Sequence, residues 1–258
     1  MTLAGRGVVI TRPAGQSDNL ARLVREAGGE PMAYPAIVIE DIDDTKPLDA
    51  QIDRLDDFDL AIFVSPSAVE RAMARILPRR TFPQALRCAA IGAGGAGALE
   101  RHGVMQVVKP TPNDGRADSE ALLATPFLSD VQNKRVLIFR GEGGRELLSD
   151  MLRARGALVE YAVCYRRGKP AFDPAPLLAD WRAGRVHAVI ATSSEGLRNF
   201  HAYLGEIGAA RMRNTSLLVS HPRIAKAAYA LGLTRVIESA SGDSALTAAL
   251  VRHFCDAP

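Results

Sequence analysis

VVITRPAGQSDNLARLVREAGGE, residues 8 to 30, lies without a gap over VLIFRGEGGRELLSDMLRARGAL, residues 136 to 158. Each stretch opens on a short apolar run, passes through an arginine and a polar turn, continues as an amphipathic segment and ends at a glycine. Arg12 falls on Arg140 and Gly28 on Gly156, and both differences, 140 − 12 and 156 − 28, are 128. A strand-length apolar run followed by a segment with the helical period is the repeating unit of a parallel α/β sheet.

The correspondence continues outward. LAIFVSPSAVERAM, residues 60 to 73, lies over AVIATSSEGLRNF, residues 188 to 200, with Ser65 on Ser193 at the same spacing of 128. AAIGAGGAGALERHGV, residues 89 to 104, meets LVSHPRIAKAAYALGL, residues 218 to 233, at 129, so that Gly92 falls on His221 and Gly103 on Gly232. Three consecutive strand-plus-helix units in one order make the chain an internal duplication. The pattern predicts strands at Val8–Ile10, Ala36–Ile39, Leu60–Val64, Ala89–Ile91 and Met105–Val108. In the second half it predicts Val136–Phe139, Val159–Tyr165, Val186–Ala191, Leu217–Ser220 and Arg235–Ile237. A chain of 258 residues has room for two such domains of roughly 100 to 150 residues.

The composition excludes several classes. A 47% hydrophobic and 24% charged chain with a net charge of only +3 and 5% aromatics carries no basic block interleaved with aromatics, which argues against a nucleic-acid partner. No stretch approaches the roughly 20 apolar residues of a membrane span, and MTLAGRGVVI has no signal-peptide core, so no membrane association is expected. Cys88, Cys164 and Cys255 are odd in number and far apart, and read as reduced small hydrophobes of a cytoplasmic protein. The five histidines lack metal-ligand spacing, and HExxH, GxxxxGK[ST] and GxSxG do not occur, so no metal or cofactor is expected.

One motif points the other way. Gly92, Gly94 and Gly97 have the spacing of a dinucleotide-binding loop after a strand. That fingerprint also requires an acid about 20 residues on, to hold a ribose hydroxyl. Here the following apolar run ends in Lys109-Pro110, and the nearest acid, Asp114, lies past Pro112. The repeat partner SHPRIAKAA contains no glycine, so the role shared by the two copies is a strand-to-helix turn.

Ligands of parallel α/β sheets bind beyond the carboxyl ends of the strands, where helix N-termini present unpaired N–H groups and positive dipole ends. At these ends the chain places Arg12 beside Thr11, Ser65 and Ser67, Gly92, Arg140 and Gly141, Thr192 and Ser193, and Ser220, His221, Pro222 and Arg223. Arginine, small hydroxyl residues and backbone amides suit a multiply anionic ligand. Serine and threonine at such positions also serve simply as helix caps, worth about 1 kcal/mol each.

The runs TRPAGQSDNLARLVREAGGEPMAYPAI, FVSPSAV, AAIGAGGAGALERHG, FRGEGGRELLSDMLRARGALVEYAVCYRR, ATSSEGLRNF and VSHPRIAKAAYALG, in that order, resemble the uroporphyrinogen-III synthase family over roughly residues 7 to 250. The resemblance implies two similar doubly wound parallel-sheet domains, joined by a two-stranded β linker, with a cleft between them. Residues 1–36 with 168–258 would form one domain, 42–159 the other, and 37–41 and 160–167 the linking strands. It implies cyclisation of the linear tetrapyrrole hydroxymethylbilane by a lyase without a cofactor; a monomer is expected because no segment reads as an exposed apolar helix stripe dedicated to pairing. Water is lost and the last pyrrole ring inverted, giving uroporphyrinogen III on the route to haem. Such a substrate carries eight carboxylates and can expel its own hydroxyl, so the enzyme must grip, fold and assist. Tyr165, in AVCYRR, matches the family's cleft-facing tyrosine and would hydrogen-bond or donate a proton to the leaving hydroxyl. The resemblance departs at Gly95 and Ile224, where relatives often carry threonine, at Ser67, where many have asparagine, and at Arg223, also often threonine. Two other readings stay open on the sequence: an NAD(P)-dependent oxidoreductase using the Gly92 loop, and a two-lobed binding module without catalysis.

Overall fold

The computed structural model describes residues 2–110, 118–170 and 173–255, so Asp114 lies outside the described residues. The strands are β1 (Gly7–Ile10), β2 (Glu30–Ala33), β3 (Val38–Glu40), β4 (Leu60–Phe63), β5 (Arg87–Ala90), β6 (Arg135–Gly141), β7 (Leu158–Gly168), β8 (Val186–Ala191), β9 (Ser216–Val219) and β10 (Val236–Glu238). They form two five-stranded sheets, β10-β9-β8-β1-β2 and β3-β7-β6-β4-β5. The chain divides into two compact units, Met1–Val38 with Gly168–Pro258, and Ile39–Arg167.

β1 and β4 are apolar along their whole length because helices cover both faces of a parallel sheet. All four residues of β1, GVVI, and of β4, LAIF, are buried. In the first unit, one face of the sheet packs Val9, Val189, Leu217 and Phe200, and the other packs Val8, Ile10, Leu20 and Leu250. In the second unit, Phe63 and Phe139 stack with ring centroids 4.5 Å apart on one face, while Leu60, Ile62 and Leu152 fill the other. The covering helices bury the stripes their periodicity predicts; the helix Asp18–Glu26 buries Leu20 and Val24.

The sequence repeat is exchanged between the units. β1 pairs in parallel with β2 and with β8, and β8 pairs with β9. In the other sheet β6 pairs with β7 and with β4, and β4 pairs with β5. Since β6, β7, β4 and β5 are the repeat partners of β1, β2, β8 and β9, both sheets have the same order, and each combines strands from both sequence copies.

Two strand expectations change. Met105–Val108 forms no strand: Gln106 adopts φ 58, a left-handed conformation that interrupts extended backbone, and one parallel bridge between Ala89 and Val108 remains. That bridge is the repeat partner of the Leu218–Ile237 pairing between β9 and β10. The run Ala36–Ile39 contributes only the start of β3, whereas β2 lies upstream in EPMA, a segment with Pro31 and two exposed residues. Proline is tolerated there because β2 is an edge strand, paired only with β1. In the second copy valines replace Pro31 and Pro35, at Val159 and Val163, and β7 runs unbroken for 11 residues.

Among the described residues, no helix is long and apolar enough to cross a membrane. Gly28 and Gly156 end the first helix of each copy, both at φ 82, where any L side chain is strained. Alanine at either position should lower the unfolding free energy by about 1–2 kcal/mol, measured by urea denaturation. The two should cost about the same, because the atom a Cβ on Gly156 would meet, Gln132 Oε1 at 2.5 Å, is the end of an exposed side chain that can swing away.

Candidate functional site

The strand-end turns of each unit gather the residues singled out above. In the second unit Ser65 caps the helix Pro66–Ile76, its Oγ accepting from the Ala68 amide at 3.1 Å. In the first unit Ser193 does the same for the helix Ser194–Tyr203, accepting from the Gly196 amide at 3.0 Å. The partners Gly92 and His221 cap the helices Ala93–Arg101 and Pro222–Ala230. His221 Nδ1 accepts from the Arg223 amide at 3.0 Å, which places the neutral ring's proton on Nε2.

The serine turns differ in what backs them. The Tyr165 hydroxyl lies 3.0 Å from Ser65 Oγ, and Arg167 Nη2 donates to the phenol oxygen at 3.4 Å. Tyr165 is 1% exposed, so its ring is part of the second unit's core. Gly141 makes room for it: a Cβ there would lie 2.6 Å from the ring. At the matching place in the first unit stands Ile37, also buried, whose Cδ1 lies 3.6 Å from where a Cβ on Gly196 would be. The architecture is repeated, whereas the phenol is present in one unit only.

The two arginines of the repeat have separate surroundings. Arg12 is paired with Asp243 at 2.6 Å, and Asp243 also accepts from Asn19 Nδ2 at 2.7 Å. Arg140 is buried; it pairs with Glu146 at 3.0 Å, donates to the Gly143 carbonyl and lies 4.5 Å from the centre of the Tyr161 ring. Its guanidinium is spent on the turn after β6. The Tyr161 hydroxyl, donating to Glu146, and then Arg140 hold the Glu146 carboxyl below the ordinary carboxylate range.

Ser67 is buried on the first turn of its helix. Thr192 and Ser220 are half-buried, and the Ser220 carbonyl accepts from Ser241 Oγ at 3.1 Å. Pro222 and Arg223 are exposed, and the Arg223 carbonyl accepts from Ser194 Oγ at 3.3 Å, joining two strand-end turns of the first unit. Gly94 and Gly95 admit close packing: a Cβ would lie 3.2 Å from Pro66 Cγ and 3.2 Å from Ala90 Cβ, respectively. Among the described residues, no cluster of three or more His, Cys, Asp or Glu side chains is placed to hold a metal. Burial pushes the Cys88 and Cys164 thiols up to about 12, which leaves them unreactive.

The family described as uroporphyrinogen-III synthase HemD matches residues 18–248. The chain is 32% identical to uroporphyrinogen-III synthase of Escherichia coli over 245 residues, 93% of this chain and 98% of that one. It is 33% identical to the Salmonella typhimurium enzyme over 248 residues, again 93% and 98%. This chain belongs to the uroporphyrinogen-III synthase family. Its fold is that of the Helicobacter pylori uroporphyrinogen-III synthetase structure, with a TM-score of 0.60 at 16% identity, covering 98% of this chain and 100% of that one. A mutant synthase from Thermus thermophilus gives 0.59 at 18% identity, covering 98% of each.

Within this synthase fold, sequence reasoning missed Arg167 and Asp243. Arg167 is visible in CYRR once Tyr165 is singled out, whereas Asp243 lies 231 residues from Arg12 and no local signal couples them. Alanine at Gly141 should displace the Tyr165 ring and cost about 1–3 kcal/mol in urea unfolding. Glu146, with its folded pKa depressed, contributes stability above its unfolded value and loses it as pH falls through the folded one. Unfolding free energy should therefore decline below about pH 4.3, and Glu146→Gln should flatten part of that decline in urea titrations at stepped pH.

Proposed function

We propose that this chain closes hydroxymethylbilane to uroporphyrinogen III, a lyase reaction in which water leaves and the last pyrrole ring is inverted. Membership of the family across residues 18–248 supports the reaction, and the observation that carries the chemistry is the Tyr165–Ser65 contact of 3.0 Å at a strand-end turn.

The substrate provides both the leaving hydroxyl and the electron-rich pyrrole that expels it. The protein's part is to hold carboxylates, fold the chain and ease departure of the oxygen. In this reading the amides at the starts of the helices capped by Ser65, Gly92, Ser193 and His221 receive acetate and propionate arms, helped by the positive dipole ends. Thr192, Ser220 and Ser67 frame those turns, Pro222 fixes the first helical turn at its site, and Arg12 and Arg223 supply positive charge. Asp243 holds Arg12 in one orientation, and Arg140 keeps the Gly143 turn in shape. Tyr165 serves the departing hydroxyl. No residue is assigned to a cofactor or metal, and we take the chain to act as a cytoplasmic monomer.

The direct test is to incubate freshly prepared hydroxymethylbilane with the protein and to separate the product isomers. An excess of type III over the spontaneous type I isomer is expected, and type I alone overturns the reading. Arg12→Ala should raise KM about tenfold with a smaller change in kcat, the effect of losing one charge-assisted hydrogen bond to a carboxylate arm.

A further inference from the structure

The Tyr165 phenol oxygen has two polar neighbours, Ser65 Oγ at 3.0 Å and Arg167 Nη2 at 3.4 Å. A guanidinium donates and never accepts, so Arg167 occupies a lone pair of the phenol and leaves its proton unplaced. The residue is 1% exposed, and a buried hydroxyl proton without an acceptor costs about 1–3 kcal/mol. Ser65 Oγ is the acceptor within reach, so the phenol donates to it.

Ser65 Oγ then accepts twice, from Tyr165 and from the Ala68 amide at 3.1 Å. Both its lone pairs are filled. Its own proton has no acceptor among the described residues, and Ser65 is half-buried at the strand end whereas Tyr165 is buried, its ring against Gly141. The hydrogen-bond directions thus run from Tyr165 to Ser65 and outward.

We infer that Ser65, rather than Tyr165, is the group that touches the leaving hydroxyl, with Tyr165 as the positioning residue and proton source behind it; this rests on the reaction proposed above. As the C–O bond of the hydroxymethyl group breaks, the pyrrole nitrogen's electron pair takes its place. The departing oxygen takes the Ser65 proton and leaves as water. Ser65 Oγ takes the Tyr165 proton, and the phenolate stays beside Arg167. The proton released when the closed macrocycle regains its last aromatic pyrrole returns along the same path, so the cycle closes with loss of one water. The first unit has the same serine cap at Ser193 backed by Ile37, which holds no proton, so the relay exists in one unit only.

A double-mutant cycle tests this, reading kcat and KM for type III formation in the wild type, Ser65→Gly, Ser65→Thr, Tyr165→Phe and the Ser65→Gly/Tyr165→Phe pair. Glycine keeps most of the cap's stability, and thermal unfolding of each variant checks the fold. Ser65→Gly should lower kcat at least tenfold with KM little changed, and Ser65→Thr should restore it. Tyr165→Phe should cost less in the wild type and nothing further in the Ser65→Gly background. A Tyr165→Phe loss that persists undiminished in that background puts the phenol on the substrate and overturns the assignment, as does wild-type kcat in Ser65→Gly. A wild type that makes only type I product overturns the reaction itself, before any substitution is compared.

Discussion

Everything in the molecule depends on parallel pairing between strands of different sequence copies. β1 finds its central neighbour in β8, and the hydrogen bond from Thr11 Oγ1 to the Ile190 carbonyl at 2.9 Å closes a separation of 179 residues. β6 finds its neighbour in β4, the earlier copy. Neither copy supplies a whole sheet, so an isolated half would expose a fully apolar strand edge. The loop closed by the β1–β8 pairing is long, yet closure entropy grows only logarithmically with length, and burying four-residue strands such as GVVI on both faces offsets it.

That pairing also determines where chemistry can occur. Parallel strands end together, and their following helices begin together, so amides, caps and short polar side chains converge at one edge of each sheet. The same geometry produced two nearly equivalent serine turns, at Ser65 and Ser193, each with its Oγ on the amide three residues on. Identical backbone work left the residue behind each serine open to divergence, and the copies chose a phenol and an isoleucine. Gly141 shows how tightly the choice is enforced, since a single methyl group there meets the phenol ring.

Much of this was legible in the residues. The duplication, the parallel class, the turns at Ser65, Ser193, Gly92 and His221 and the extended segment that carries Tyr165 all follow from spacing, periodicity and family resemblance. β2 was not legible, because an edge strand needs neither alternation nor a valine-rich run and tolerates Pro31. Met105–Val108 was read as a strand because its composition matches one, whereas the left-handed Gln106 reduced it to a bridge. The glycine spacing at 92 to 97 matched a nucleotide loop; of its glycines, packing accounts for Gly94, where a Cβ would meet Pro66, while Gly97 faces open space.

The sequence by itself determined most strands and helices of a twice-used unit, β2 and Met105–Val108 excepted, and which residue types stand at the strand ends, because those properties depend on local periodicity and on a repeat visible by alignment. Only the tertiary structure decided the order and register in which strands of the two copies pair, that the Arg140 guanidinium is taken by Glu146 and Gly143 while Arg12 meets Asp243, and that Tyr165 is buried behind Ser65. Arg140 meets its partners within its own turn, whereas Arg12 with Asp243 and Tyr165 with Ser65 join groups from separate elements, 231 and 100 residues apart. Their partners are set by packing and by the need of each buried polar atom for a hydrogen bond, and that need has no signature in the local sequence.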